Sequence, residues 1–139
     1  MSNLIIQPVV VLMLLTMLVW LRMSYLRISY MLKNKIDAQK LASPEECHSV
    51  LPDFINQTSN NFKNLFEAPI IFYVTCLVIV VTNSVDMIFV YLAWAYVLLR
   101  ILHSVIHCTV NNVTARFYAY FVSSILMWVM VCKLAYLFL

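Results

Sequence analysis

Charged residues are scarce in this sequence of 139 residues, of which they make up 11%, while hydrophobic residues make up 64%. The mean hydropathy is +0.91. A soluble domain of this length cannot bury so much apolar surface, because a large share of its surface stays in contact with water. The composition therefore excludes a soluble globular protein and indicates an integral membrane protein embedded in a lipid bilayer.

Glycine is absent altogether, so close contacts between helices must use other small residues. Ala115, Ala119 and Ser123 recur every four residues and place small side chains on one face of the last apolar segment. This stripe has two interpretations. It is either a contact surface, within one subunit or between subunits, or ordinary alanine usage in a helix.

The four cysteines form no CxxC pair, and Cys76, Cys108 and Cys132 lie in apolar runs, where thiols usually act as small hydrophobic groups. This pattern argues against a disulfide framework and against a zinc site. The net charge is +3, but the basic residues form no cluster among surface aromatics. Nucleic acid is therefore not an expected partner.

Long apolar runs dominate the rest of the sequence, and each is long enough for a helix to cross the hydrocarbon core, which takes about 20 residues. The fold class predicted from them is an all-α integral membrane four-helix bundle, with one domain over residues 1–139. The predicted helices cover residues 4–32, 62–82, 85–108 and 116–139. The first run lacks the basic start and the cleavage motif of a signal peptide, so we expect it to be retained.

The connections between the runs indicate an orientation. The polar segment 33–61 is predicted to be a surface loop with some amphipathic helix, and the joint 109–115 is preceded by Arg100 and followed by Arg116. The joint Asn83-Ser84 carries no positive charge. By the positive-inside rule, segments 33–61 and 109–115 are predicted to be cytoplasmic, with both termini on the opposite side.

Polar side chains embedded in apolar runs are costly in lipid and normally face a bundle interior or a wet cavity. Asn60, Asn64 and Glu67 share one face of the second predicted helix, with Lys63 placed to pair with Glu67. These positions are spaced i, i+4 and i+7, as one helical face requires.

A second set lies on the third predicted helix, where Arg100, His103 and His107 share a face, and Arg116 opens the fourth helix. The two histidines could hold a metal, but no third ligand is evident, so no metal site is predicted.

The predicted orientation brings both sets to the same end of the bundle, together with Arg22 and Arg27. Only Lys133 and Asp86 lie near the opposite end. This asymmetry predicts a cationic pocket open to the cytoplasm, in which Glu67 contacts Arg100. In the alternative interpretation the arginines extend to lipid head groups, and Glu67 only neutralises a neighbouring cation.

The run Asn61-Phe-Lys-Asn64-Leu-Phe-Glu67-Ala-Pro69, followed by Arg100, His103, His107 and Arg116, resembles the MAPEG family. This family comprises membrane-associated proteins in eicosanoid and glutathione metabolism. The likeness runs from about Asn60 to the C-terminus, whereas the first helix matches only in length and hydropathy. The run opening the second helix is similar to that of bacterial members, which implies a bacterial inner membrane.

The resemblance implies a homotrimer of four-helix subunits that holds glutathione, as co-substrate, between neighbours near the cytoplasmic side. It implies a catalytic role for Arg116, whose charge would favour the thiolate. The residues implied in glutathione binding are Asn64, Glu67, Arg100, His103 and His107. The chain departs from the family pattern where the enzymes place an arginine one turn before the helix-two asparagine, since it has Asn60 or Gln57 there. Tyrosines also often stand where His103 and His107 are.

Two functions from different classes follow. The first is a glutathione-dependent transferase or peroxidase that acts on lipophilic electrophiles arriving through the bilayer. The alternative is a non-catalytic small membrane subunit that binds lipid or a partner membrane protein, since a fold can be inherited without its chemistry.

Overall fold

The computed structural model describes residues 2–139, which form α-helices joined by short connections, without β-strands. The helices are α1 (Ser2–Lys33), α2 (Pro44–Val50), α3 (Asp53–Asn64), α4 (Ala68–Val81), α5 (Met87–Cys108) and α6 (Val113–Phe138). A short 3-10 helix covers Ala38–Leu41. Four segments are long and apolar enough to cross a membrane, namely α1, α3 with α4, α5 and α6. The predicted all-α membrane bundle is therefore confirmed.

The second membrane-spanning segment is interrupted, which the sequence interpretation of one helix over 62–82 did not anticipate. Its first part begins at Asp53, ends at Asn64, and is separated from α4 by residues 65–67. Pro69 explains the interruption, because it has no N–H to donate to the Leu65 carbonyl and its ring clashes with a helical turn before it. Asn64 and Glu67 therefore do not share a face of one continuous helix.

The segment 33–61, predicted as a surface loop with some amphipathic helix, contains the 3-10 helix, α2 and most of α3. A capping box starts α2: the Ser43 hydroxyl accepts a hydrogen bond from the Glu46 N–H, and the Glu46 carboxylate accepts one from the Ser43 N–H. The amphipathic α3 buries Ile55, Thr58 and Asn61. Its buried side packs against α1 and α5.

The antiparallel pair α5 and α6 forms the most extensive helix contact in the bundle. Small side chains contribute to the packing of α6, because Ala119 and Ser123 are buried. Ala115, the third member of the small-residue stripe, is exposed. The interpretation of the stripe as a contact surface within the bundle is therefore confirmed for two of its members, Ala119 and Ser123.

The outer surface of the bundle is apolar, as lipid contact requires. Leu18, Leu77, Leu98 and Val129 from the four membrane-spanning segments are all exposed. The first helix has 32 residues and a length of about 48 Å, which exceeds a hydrocarbon core of about 30 Å. The helix is therefore about 18 Å longer than the hydrocarbon core is thick.

Candidate functional site

Polar contacts between helices concentrate at one end of the bundle, called here the polar end, where α5 stops at Cys108 and α6 starts at Val113. Arg22 on α1 donates a hydrogen bond from Nη2 to the Cys108 carbonyl, at 3.0 Å. Arg27, farther along α1, donates from Nη2 to the Ser59 hydroxyl on α3, at 3.2 Å. The predicted convergence of α1, α3, α5 and α6 at one end is therefore confirmed.

Arg100 is the most deeply placed cation at this end, with a side chain that is 0% exposed. Its guanidinium carbon lies 5.1 Å from the ring centroid of Tyr96 and 4.6 Å from that of Tyr120. Nη2 donates to the Ser124 hydroxyl at 3.4 Å. Nε and Nη1 are buried and have no hydrogen-bond partner within residues 2–139. Aromatic rings rather than a carboxylate thus surround this charge.

His103 and His107 follow Arg100 on the same face of α5, and both are buried. Their rings meet edge to face, with centroids 5.5 Å apart. Nδ1 of His103 lies 2.9 Å from the Arg116 carbonyl, which can only accept, so Nδ1 carries a proton and donates it. Nε2 of His103 and Nδ1 of His107 are buried without a partner in the described part of the chain. Two ring nitrogens on this face of α5 are therefore unpartnered.

Arg116 lies in the first turns of α6, where Asn112 caps the helix by accepting the Ala115 N–H at 3.0 Å. Its half-buried guanidinium donates from Nη1 to the side-chain oxygen of Asn111. The backbone of Asn111 has φ 51°, in the left-handed region, which asparagine tolerates better than most residues. The joint between α5 and α6 thus fixes the orientation of Arg116.

A second group of polar contacts joins α3 to α5. Asn61 is 0% exposed, accepts a hydrogen bond from the Ser104 hydroxyl at 3.3 Å, and donates from Nδ2 to the Cys108 sulfur at 3.3 Å. These contacts hold α3 against the C-terminal half of α5.

Asn64 and Glu67 lie apart from both groups. Asn64 is half-buried at the last turn of α3, and Glu67 is exposed at the interruption before α4. Within residues 2–139 the only ion pair joins Lys133 to Asp86. The predicted pairs of Glu67 with Arg100 and with Lys63 are therefore not formed within the described chain. The interruption at 65–67 turns Glu67 outward, and Tyr96 and Tyr120 enclose Arg100.

The comparison with protein families agrees with this architecture. The sequence model of the MAPEG family matches residues 5–136. The chain belongs to the MAPEG family. The match includes α1. It therefore covers more of the chain than the resemblance found in the sequence, which began at about Asn60. Neither the curated proteins nor the solved structures give a match.

Within the chain of this MAPEG protein, the predicted residues Arg100, His103, His107 and the backbone of Arg116 come together. Glu67 does not join them. In the described residues 2–139 no group of three or more His, Cys, Asp or Glu side chains could hold a metal ion, so the two histidines have no third ligand of these types.

Sequence reasoning missed Tyr120, Asn61 and Asn111 in this MAPEG site. Asn61 stood in the run that carried the family resemblance, and its position in an apolar segment was a usable signal. Tyr120 gave no such signal, because a tyrosine in a membrane helix is common at an interface. Its contact with Arg100 depends on the register of α6 against α5.

Proposed function

We propose that this MAPEG protein is a glutathione-dependent transferase or peroxidase that acts on lipophilic electrophiles reaching it through the bilayer. The observation that carries the proposal is the set of unpartnered nitrogens on the polar-end half of α5: Nε and Nη1 of Arg100, Nε2 of His103 and Nδ1 of His107. Buried polar atoms without partners are uncommon in folded proteins. With the Tyr96 hydroxyl, which is also buried without a partner, five such atoms lie on one face of α5, and a polar ligand that completes the site would explain them.

Glutathione fits the charges of this group, because it carries two carboxylates and a thiol. A guanidinium binds a carboxylate through two parallel hydrogen bonds, and Arg100 has two free nitrogens for this purpose. A carboxylate would reach them by replacing the Ser124 hydroxyl or by entering between Tyr96 and Tyr120. The long Arg100–Ser124 contact of 3.4 Å is weak enough to be exchanged for a charged acceptor.

Arg116 is the residue that we assign to thiolate formation. It lies near the positive end of the α6 dipole, and both charges favour an anion beside it. Its contact with the neutral Asn111 side chain is exchangeable for a thiolate. The thiolate sulfur would form a bond to an electrophilic carbon, and the leaving group would depart with its electron pair. With a hydroperoxide, two glutathione molecules would give the disulfide, the alcohol and water.

In this proposal the protein is a homotrimer, and Asn64 and Glu67 of one subunit contact glutathione bound to the cations of its neighbour. They do not reach Arg100 within their own subunit, and Glu67 presents an unpaired carboxylate at the interruption between α3 and α4. A site between neighbouring subunits would bring Asn64 and Glu67 of one subunit to the cations of another. The Glu67 carboxylate suits the α-ammonium group of glutathione. Native mass spectrometry in mild detergent tests the assembly, and a stable monomer would contradict it.

The alternative function is a non-catalytic small membrane subunit that binds lipid or a partner membrane protein. One observation favours it: Arg100 is completely enclosed by its own subunit, as a residue with a purely structural role would be. Its aromatic neighbours already stabilise its charge.

The binding of glutathione to the purified protein separates the two functions. Protein in detergent is titrated with glutathione at neutral pH while heat of binding and ultraviolet thiolate absorbance are recorded. The enzymatic function predicts saturable binding and a thiolate signal. S-methylglutathione, which has no thiol, is the matched control and should bind without that signal. No binding at millimolar glutathione would exclude the enzymatic function and favour the non-catalytic subunit.

A further inference from the structure

A polar cavity lies away from the Arg100 site, between the C-terminal part of α1, the segment 38–50 and α3. Its volume is about 420 Å³. Its polar lining includes Arg27, Ser43, His48, Ser59 and Lys63. None of these residues belongs to α5 or α6, which hold the Arg100 group. The cavity is therefore a separate feature of the polar end.

The lining of this cavity carries positive charge without a counter-ion. Arg27 and Lys63 line it, and none of its described lining residues is acidic. Neither cation forms an ion pair within residues 2–139, where the only pair is Lys133 with Asp86. The nearby Glu46 carboxylate accepts a hydrogen bond from the Ser43 N–H at 3.0 Å and is therefore part of the capping box of α2. An anionic group is the ligand that these charges favour.

The hydrogen-bond donors of the cavity suit a tetrahedral oxyanion. Nη2 of Arg27 donates a hydrogen bond to the Ser59 hydroxyl, whereas Nε of Arg27 is buried and has no partner in the described chain. Ser59 accepts that bond and keeps its own hydrogen to donate. A guanidinium and a neighbouring hydroxyl can thus bind different oxygens of one phosphate group, with Lys63 adding charge.

The depth of Arg27 indicates where such a phosphate comes from. The Arg22–Cys108 contact places Arg22 level with the end of α5, a helix of 22 residues that matches one hydrocarbon core. Arg27 follows five residues later on the same helix, which is about 7.5 Å farther out. The polar layer of a bilayer is about 5–7 Å thick on each side. The Arg27 backbone therefore lies at the outer margin of the polar layer, and its side chain, which leans toward the N-terminus of α1, extends back toward the lipid phosphates.

We propose that this cavity binds the phosphate group of an anionic membrane phospholipid. Arg27 and Ser59 hold the phosphate oxygens, and Lys63 supplies long-range attraction. The apolar lining residues Met23, Leu41 and Phe62 contact the less polar part of the lipid. Free inorganic phosphate shares the same chemistry, but it lacks this apolar part and binds more weakly.

Lipid titration followed by native mass spectrometry tests the site. Delipidated full-length protein is titrated with phosphatidylglycerol or phosphatidylcholine, and bound lipids are counted. The wild type should retain one phosphatidylglycerol per subunit in preference to phosphatidylcholine. Arg27→Gln should weaken this binding about tenfold, as expected for a charged hydrogen bond. Lys63→Gln removes an exposed charge and should weaken it about threefold.

Arg22→Gln is the matched control, since Arg22 lies on the same helix, is also at the polar end, and does not line the cavity. It should bind phosphatidylglycerol as the wild type does. Equal losses in Arg22→Gln and Arg27→Gln would show that arginines merely extend to head groups and would overturn the proposal. Inorganic phosphate that displaces the lipid at equal concentration would also overturn it. If Arg27→Gln fails to fold, unchanged lipid binding by Lys63→Gln decides against the site.

Discussion

Lys133 on α6 forms an ion pair with Asp86, the residue that caps the start of α5, at the end of the bundle opposite Arg100. Asp86 also accepts the Phe89 N–H at 2.8 Å, and the Lys133 ammonium lies 4.3 Å from the Phe89 ring centroid. One carboxylate thus caps a helix and joins it to its neighbour. Partial burial opposes ionisation of Asp86, but the hydrogen bonds from Lys133 and the Phe89 N–H lower its pKa.

A pH dependence of stability follows from this pair. Because the pKa of Asp86 is lower in the folded protein than its ordinary 3.8, its contribution to stability is present above that value and is lost as pH falls below it. Asp86→Asn keeps a helix cap but has no charge, so its melting temperature should not show this loss. Thermal unfolding in detergent at several pH values between neutral and about 3 measures the difference. Parallel curves for both proteins would contradict it.

Arg116 is expected to promote ionisation of the glutathione thiol rather than to strengthen the binding of glutathione. Arg116→Ala should lose the thiolate absorbance of bound glutathione and retain most of the binding, whereas Arg116→Lys should keep part of the signal because it keeps the charge. Stopped-flow absorbance measures thiolate formation, and calorimetry measures binding. Arg22→Ala, which removes another arginine at the polar end, is the control and should leave both unchanged.

Arg100 is expected to be needed for the ligand more than for the fold. Arg100→Leu should abolish glutathione binding but leave the melting temperature similar or higher, because a buried charge without a carboxylate is costly. Glu67→Gln should leave stability unchanged, since Glu67 is exposed and unpaired in the subunit. Calorimetric titration and thermal unfolding give both quantities. A large loss of stability in Arg100→Leu would assign Arg100 a structural role.

Asn61 and Asn64 provide a matched comparison on one helix. Asn61→Leu leaves the buried Ser104 hydroxyl without its acceptor and should cost about 1–3 kcal/mol of stability. Asn64 is half-buried, and we expect Asn64→Leu to reduce glutathione affinity with a smaller loss of stability. Chemical denaturation in mixed micelles and calorimetry compare the variants. The reverse ranking of stabilities would refute the assignment.

The orientation in the membrane remains a prediction from the positive-inside rule. With all native cysteines replaced, single cysteines at Ser43 and Asn112 should react with a membrane-impermeant maleimide only from the cytoplasm. A cysteine at Asn83, in the joint between α4 and α5, should react only from the other side. Labelling of Ser43 and Asn112 from opposite sides would contradict the predicted topology.

The membrane-spanning segments could be predicted because hydropathy depends on each segment alone. The convergence of Arg22, Arg100 and Arg116 at one end could also be predicted, since antiparallel neighbours bring alternate ends together. Pro69 was a usable signal in the sequence for the interruption before α4, although the prediction placed one continuous helix there. The Arg100 contacts with Tyr96 and Tyr120 could not be predicted, because they depend on the rotation and register of α6 against α5. The Asn61–Ser104 contact could not be predicted for the same reason, because it depends on how α3 packs against α5.

The interruption at residues 65–67 also has a consequence for the depth of the second span. The continuous helix α4 has 14 residues and a length of about 21 Å, compared with about 30 Å of hydrocarbon. The apolar span begins before α4 and includes residues of α3. The break between the two helices is therefore placed inside the membrane. The Leu65 carbonyl has no helical donor because residue 69 is proline, and Leu65 is only 2% exposed, so this carbonyl must be satisfied within the protein rather than at the lipid surface.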